Sequence, residues 1–448
     1  MVLKAKKWLS GFLAATMIIV LLAACGKGNS NNDSSPSASP AASPSGSASA
    51  APSDSSAPAK LEGNLVVWTY FDQVKILAES FMAKNPGVKV DVQIFPGDQY
   101  ETKLMTALQT GQNAPDIVDL DRGYIGKFLE SPYLADLSAM GGDDVVKDHI
   151  PYVKEYGKSA DGKLRAISDN SSPGGFWYVR ESAKKWLGTD DPDQISAMVD
   201  SWDKIVDLGK KVAKDSGGKV HLIQSAGGLF DIMAYNTQPW VQDGKLVIDP
   251  KWKETYETQL KIRNEGVDAK LGFMSSGWGS ALNNGDVVLT SMPSWATFMI
   301  DNKDGKAKGK FGVAKTPEGW FIGGRYEGIY EKSKNKELAF EFLKYVASPE
   351  WQLENLQKTG NMPSNALVFD QNQDSFKMDM LGDQLILKAY ADQMKSLPGV
   401  KADKYNEGVL SKWGKVAGEG INNNTPYDKV VQAFKKEVKN TYPEIKVE

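Results

Sequence analysis

Few side chains in this sequence can do acid–base, nucleophilic or metal chemistry. The 448 residues include two histidines, His149 and His221, and one cysteine, Cys25. That inventory excludes a multi-histidine metal site, zinc held by thiolates, a thiol redox pair and an internal disulfide. Asp119, Asp121, Asp169 and Glu327 are candidates for the paired carboxylates that glycoside hydrolysis requires, but sequence does not set their separation. There is no G-x-S-x-G elbow, no Walker loop, no G-x-G-x-x-G and no H-E-x-x-H. The pairs Gly174-Gly175 and Gly323-Gly324 read as tight turns, His221 as a strand residue and His149 as a loop residue. The pattern points to binding without turnover.

Aromatic residues say more. Of twelve tryptophans, Trp186, Trp202, Trp252, Trp351 and Trp413 fall in helically spaced segments and are expected to pack in cores. Trp240 follows Pro239, Trp278 stands between Gly277 and Gly279, and Trp295 follows Pro293-Ser294. Loops on rigid scaffolds are where binding groups concentrate, so these three are candidate platforms. A sugar ring has apolar C–H faces and a rim of hydroxyls. It calls for flat aromatic faces beside Asp, Asn and Arg side chains, and a buried hydroxyl left unpaired costs about 1–3 kcal/mol.

The elements that must position these residues are legible in part. Leu65-Val66-Val67-Trp68-Thr69-Tyr70-Phe71 reads as a buried strand, followed by a helix capped by Asp72 with Val74, Leu77 and Phe81 on one stripe. Val88, Val90, Val92 and Ile94 alternate with polar residues as a second strand. Asp98 and Glu101 are spaced as a capping box for a helix that Gly111 closes, and Ile117-Val118-Asp119-Leu120 is a third strand. This alternation predicts an α/β fold with a parallel, doubly wound sheet, whose ligands sit beyond the carboxyl ends of strands. Those ends carry Tyr70, Phe71 and Asp72, then Asp121 and Arg122. Later helices are expected from Trp202 to Val212, on Leu338, Phe342 and Val346, and on Val430, Val431, Phe434 and Val438.

The N-terminus reads as an address. Lys4, Lys6 and Lys7 precede an apolar run that ends in Leu22-Ala23-Ala24-Cys25, so residues 1–24 are predicted to be a signal peptide. Residues 25–60 are mostly Ser, Ala, Pro and Asn, which cannot offset the entropy of ordering and predict a disordered tether. Its random-coil span is roughly 30 Å. The length exceeds what one core usually supports, which favours two lobes. A net charge of −3 gives no basic field for nucleic acid.

Read in order, Val67-Trp68-Thr69, Asn85-Pro86-Gly87-Val88-Lys89-Val90, Ala114-Pro115-Asp116-Ile117-Val118, Leu134-Ala135-Asp136-Leu137, Asp161-Gly162-Lys163, Asn284-Gly285-Asp286, Pro317-Glu318-Gly319 and Ser348-Pro349-Glu350 resemble the family-1 extracellular solute-binding proteins, the maltose-binding-protein-like receptors of carbohydrate ABC importers. Leu-Ala-Ala-Cys resembles a bacterial lipobox, which implies that Cys25 is lipidated. The family resemblance implies an α/β, two-lobed periplasmic-binding-protein-like fold with a hinged inter-lobe cleft. The first lobe would be 61–169 plus 320–365, and the second 170–319 plus 366–448. Chain crossings are expected near 168–177, 319–330 and 362–366.

Carried over residue by residue, Asp72, Asp121 and Arg122 match polar sugar contacts, and Trp295 matches the stacking residue. Phe230 matches an aromatic, and Arg325 and Tyr326 are placed at the cleft edge; the stretch from Ser168 to Gly175 departs from a generic hinge and is expected to line the cleft, with Asn170 bonding a hydroxyl. Val287-Val288-Leu289 stands where the family has Gly-x-Ala-Ala-Met, and Trp177-Tyr178-Val179-Arg180 where it has Tyr-Asn-Lys. The implied protein is a monomeric, non-enzymatic lipoprotein on the outer face of the cell membrane. It needs no cofactor, binds a carbohydrate, preferably an oligosaccharide, and passes it to an ABC permease. The alternatives are a surface-anchored glycoside hydrolase and a receptor of the same fold for a non-sugar solute.

Overall fold

The computed structural model describes residues 60–233, 237–395, 397 and 402–448. Cys25, the leader and the tether up to residue 59 lie outside them.

The first sheet is built as the alternation predicts. β1 (Glu62–Thr69), β2 (Gly87–Ile94) and β3 (Ile117–Asp121) are joined by helices α1 (Val74–Lys84) and α2 (Gly97–Thr110). β1 pairs in parallel with β2 on one side and β3 on the other. Successive strand side chains point to opposite faces, and both faces of this sheet are covered. Leu65 and Val67 pack with Leu77, Phe81 and Phe342 on one face, while Trp68 packs with Tyr100, Leu104 and Val118 on the other.

Three local expectations fail. Asp72 does not cap α1, which starts behind Gln73 without a side-chain cap; Asp72 is exposed and pairs with Lys75 at 3.3 Å. The capping box is absent, because Pro96 precedes α2 and Glu101 pairs with Lys127 at 2.7 Å. The sheet is also not wholly parallel. β4 (Ala166–Ile167) and β11 (Arg325–Ile329) complete the order β2-β1-β3-β11-β4, and β11 runs antiparallel to both of its neighbours. β11 enters from a distant part of the chain, so no strand–helix alternation announces it.

The second sheet has the order β10-β5-β9-β6, from β5 (Gly174–Val179), β6 (His221–Ile223), β9 (Val287–Pro293) and β10 (Phe311–Ala314). A two-stranded ribbon of β7 (Val241–Gln242) and β8 (Lys245–Leu246) stands apart. Along β5 the pleat sends Phe176 and Tyr178 into a core with Trp252, Tyr256 and Trp413. Trp177 and Val179 go to the opposite core, with Phe311, Leu387 and Tyr390. The core around Trp177 is continuous with the one beneath β1 and β3, bridged where Tyr152 meets Phe321 at 4.4 Å between ring centroids, whereas the second core, around Trp252 and Trp413, is separate.

The chain passes between the paired strands of the two sheets at two places. Ile167 pairs in the first sheet and Gly174 in the second; Ala314 pairs in the second and Arg325 in the first. The connecting segments lie side by side, with bridges Asn170↔Pro363 and Pro173↔Phe321. Ser171 N–H donates to the Met362 carbonyl at 2.9 Å, and Ser172 holds a left-handed φ of 49°.

Candidate functional site

The ends of β1 and β3 open onto a cavity of about 200 Å³, as the strand-end rule predicts. Tyr70, Phe71, Gln73 and Asp121 line it from the first sheet, and Asn170, Ser172, Gly323, Gly324, Arg325 and Asn361 from the connecting segments. Trp295, just past β9, closes it from the second sheet.

Each polar group is held in place. Tyr70 O–H donates to Asp121 Oδ2 at 2.9 Å, and Gly123 N–H donates to Oδ1 at 2.7 Å, so the Asp121 carboxylate is fixed at the strand end. Burial and the charges of Asp119 and Asp121 hold the Tyr70 phenol well above its ordinary pKa, keeping it a neutral donor. Asn170 donates to Asp169 at 3.2 Å and accepts from Ser172 Oγ at 2.6 Å. Asn361 donates to Gln73 Oε1 at 2.8 Å.

Trp295 is oriented by its own N–H, which donates to the Ile322 carbonyl at 2.7 Å. Gly323 is required beneath it. Its φ is 81°, and a Cβ there would lie 2.8 Å from Trp295 Nε1. Trp295 therefore lines one cavity with a fixed carboxylate, two amides and a phenol.

Arg325 forms part of the cavity wall but its guanidinium is committed inward. Nη2 lies 3.0 Å from Asp169 and 2.8 Å from Glu327, and Nε lies 3.9 Å from Asp119. Asp169 Oδ2 also accepts from Trp351 Nε1 at 2.8 Å and Asn355 at 3.2 Å. Three buried carboxylates thus share one cation. Burial outweighs Arg325 at Asp119, raising its pKa from 3.8 to about 7, and raises that of Glu327 well above its usual range. This knot ties the first connecting segment to the second.

The remaining sequence candidates lie elsewhere. Arg122 is buried behind the strand end and pairs with Glu407 at 2.8 Å, which also accepts from Tyr156 O–H at 3.2 Å. Tyr326 points away from Arg325's face, into the core, and its O–H donates to the Val153 carbonyl at 3.2 Å. Trp240 is stacked on Trp252 at 4.8 Å within the second core, and Phe230 packs against Trp252 at 5.8 Å. Trp278 is buried at the start of helix Ser276–Asn284, whose N-cap Ser275 accepts its backbone N–H at 3.2 Å. Loop tryptophans flanked by Gly or Pro can be core residues when the next element buries them. Asp72 is exposed outside the cavity, and Gln73 takes the position expected for it.

Of the ten candidates, Asp121, Asn170, Trp295 and Arg325 are brought together. Tyr70 and Phe71 were signalled by their strand-end position and Ser172 by its place in the first crossing; Gln73 and Asn361 carried no signal. Of the four candidate hydrolytic carboxylates, Asp121 alone lines the cavity, and the other three form the Arg325 knot. His149 is buried against the Ala347 carbonyl, and His221 Nδ1 meets the Gly266 carbonyl. Among the described residues no cluster of three or more His, Cys, Asp or Glu is arranged to hold a metal, and no helix is long and apolar enough to cross a membrane.

The model of the family described as bacterial extracellular solute-binding protein matches residues 77–381. The chain belongs to that family. This member is similar to a lactose-binding protein of Rhizobium radiobacter, with 24% identity over 84% of this chain and 92% of the relative. It is also similar to an arabinooligosaccharide-binding protein of Bacillus subtilis (strain 168), with 25% identity over 66% of this chain and 72% of the relative. Among solved structures, the sugar-binding protein MalE of Xanthomonas citri superposes with a TM-score of 0.69 at 16% identity, covering 84% and 97% of the two chains. The galacto-N-biose/lacto-N-biose I-binding protein of Bifidobacterium longum, in complex with lacto-N-biose, superposes with 0.69 at 15% identity over 86% and 99%. These likenesses give this solute-binding protein the two-lobed α/β fold, and its relatives are binding proteins.

Proposed function

We propose that this solute-binding protein captures a carbohydrate between its two lobes and delivers it, chemically unaltered, to an ABC permease. The observation that carries the reading is that Trp295, Asp121, Asn170 and Asn361 line one cavity. An aromatic side chain with acceptors and donors around it is complementary to the apolar faces and hydroxyl rim of a pyranose or furanose. The names of the relatives, which bind lactose and arabinooligosaccharides, support the same class.

The proposed lobes are 61–169 with 320–365, and 170–319 with 366–448. A guest that touches Tyr70 and Asp121 in one and Trp295 in the other has a higher affinity for the closed form and shifts the hinge equilibrium toward it. Closure then presents both lobe surfaces to the permease. Cys25 is proposed as the lipid attachment point, with 25–60 as a tether holding a monomeric receptor on the outer face of the membrane.

Titration calorimetry against neutral mono- and oligosaccharides tests the reading. One-to-one binding without release of reducing ends is expected. Failure of every sugar, or turnover of any, would refute it.

A further inference from the structure

We propose that two buried carboxyls beneath the cavity, Asp119 and Glu327, share one exchangeable proton, and that capture of the guest draws this proton in from solvent, so that affinity falls as pH rises. The inference rests on the carbohydrate reading above in taking the guest to be neutral, and it adds regulation of that same site.

The geometry comes from the first sheet. β11 runs antiparallel to β3, with Arg325 opposite Asp121 and Glu327 opposite Asp119. Period two puts all four side chains on one face, as two rungs. The outer rung, Asp121 with Arg325, lines the cavity. The inner rung, Asp119 with Glu327, is fully buried. Like charges directly opposite across a ladder repel, and two carboxyls that share a buried site do not ionise independently. Asp119 Oδ1 and Glu327 Oε2 accept no hydrogen bond from the described residues, which leaves a place for a proton.

Every neighbouring element sends a group toward this rung. From β11 comes Arg325, from the first connecting segment Asp169, and from the end of β3 Asp121. From β1, Thr69 O–H donates to Asp119 Oδ2 at 2.5 Å. From α2, the Tyr100 oxygen accepts the Asp119 backbone N–H at 3.2 Å. Burial holds the phenols of Tyr70, Tyr100 and Tyr124 above their ordinary range, so all three stay protonated. Trp351 and Asn355, on helix Pro349–Thr359, are neutral donors to Asp169. His149 is the other basic group whose charge reaches Asp169, and burial lowers its pKa to about 4, leaving it uncharged at neutral pH. One guanidinium thus stands among four carboxyls. Burial in this setting raises Asp119 to about 7 and Glu327 well above its usual range, so the shared proton exchanges near neutrality.

Three short links join the inner rung to the cavity. Arg325 stands in the outer rung and pairs with the inner one. Thr69 Oγ1, bonded to Asp119, accepts the backbone N–H of Phe71 at 2.9 Å, and Phe71 lines the cavity. Asp169 Oδ1 accepts from the Asn170 amide at 3.2 Å, and Asn170 lines the cavity too.

A neutral guest displaces the cavity water that screens this excess of carboxylate. Lower dielectric favours the uncharged carboxyl, so the complex binds the proton more tightly than the empty protein does. The sign follows by linkage. A carboxyl whose pKa is higher in the complex favours binding fully below its pKa in the empty protein, and that advantage is lost as pH rises through its pKa in the complex. The proton comes from solvent on capture and returns to it on release.

Calorimetry of the purified protein at pH 6 and pH 8.5 tests this, with whichever neutral sugar binds most tightly, lactose and arabinotriose included. It is repeated at pH 7.5 in phosphate and in Tris, whose ionisation enthalpies differ, so that proton uptake appears as a buffer-dependent heat. A complex that holds the proton roughly three- to ten-fold more tightly should bind sugar roughly three- to eight-fold more weakly at pH 8.5 than at pH 6, and should take up roughly 0.3–0.5 proton at pH 7.5. Asp119→Asn with Glu327→Gln leaves Asp169 as Arg325's buried partner. That double variant should bind at pH 6 about as tightly as wild type, with neither the pH dependence nor the buffer-dependent heat. A thermal melt shows whether it folds, and the buffer comparison on the wild-type chain decides the question if it does not. Equal affinity at both pH values with no proton uptake by wild type overturns the inference and leaves a carbohydrate receptor. Uptake undiminished in the folded double variant overturns it as well, because the proton then belongs to another group. Failure of every neutral sugar to bind the wild-type chain removes the carbohydrate reading and this inference together.

Discussion

Replacing Arg325 by methionine tests the buried charge knot beneath the cavity. In the native chain one guanidinium serves Glu327 at 2.8 Å, Asp169 at 3.0 Å and Asp119 at 3.9 Å. Breaking a buried ion pair by removing one partner typically costs about 3–5 kcal/mol, since a charge is left in low dielectric without compensation. Methionine keeps most of the volume, so the loss should come from the carboxylates.

Its sign with pH follows. Without Arg325 the folded pKa values of Asp119 and Glu327, already raised by burial, climb further. A carboxyl that holds its proton more tightly when folded loses stability as pH rises from its unfolded value through its folded one. At pH 8 Arg325→Met should therefore cost about 3–5 kcal/mol, and near pH 4.5 only roughly 1–2 kcal/mol of lost hydrogen bonds. Urea unfolding followed by tryptophan fluorescence reads this directly, because Trp351 donates to Asp169 in the same knot. Adding Glu327→Gln should restore part of the loss at pH 8. Equal losses at both pH values, or a double variant weaker than the single one, would refute the reasoning.

Other consequences are as concrete. Asp119→Asn removes a group whose pKa rises from 3.8 to about 7 on folding. The native chain loses stability as pH climbs through that window, and the variant should show a flatter profile in urea midpoints at pH 4.5, 6 and 8. Gly323→Ala puts a methyl 2.8 Å from Trp295 Nε1 at a φ of 81°, so it should destabilise by about 1–2 kcal/mol and weaken sugar binding through the displaced indole; unchanged affinity would separate Trp295 from the site. Asp121→Asn should weaken binding without a large shift in melting temperature, since Asp121 is fixed by Tyr70 and Gly123 at the cavity wall. Trp252→Ala, by contrast, opens the second core between Trp240, Phe230 and Trp413 and should cost about 3–5 kcal/mol in urea, with sugar affinity of the folded fraction preserved.

What the sequence made legible was local. β1, β2, β3 and α2's stop at Gly111 follow from period-two alternation, helical stripes and a left-handed glycine at φ 70°. The strand-end rule then located Tyr70, Phe71 and Asp121. Long-range pairing was not legible: β11 joins β3 antiparallel from two hundred residues away, and no local pattern encodes its direction. Side-chain commitment was equally hidden. Arg122 and Arg325 are both the residue type a sugar site uses, yet Glu407 claims one and three carboxylates claim the other. Trp240 and Trp278 carried the same loop signature as Trp295; which indole is buried depends on neighbours that arrive later in the chain, such as Trp252, Trp413 and Phe434 around Trp240.

The proposed receptor grips a polyhydroxylated guest between Asp121 and Trp295, which line the same cavity. Calorimetry of wild type and Trp295→Ala against the tightest-binding oligosaccharide tests it most directly. Trp295→Ala should weaken binding at least ten-fold, equivalent to about 1.4 kcal/mol or more, while the melting temperature without sugar stays near that of wild type. Undiminished affinity in a folded Trp295→Ala protein would contradict the account.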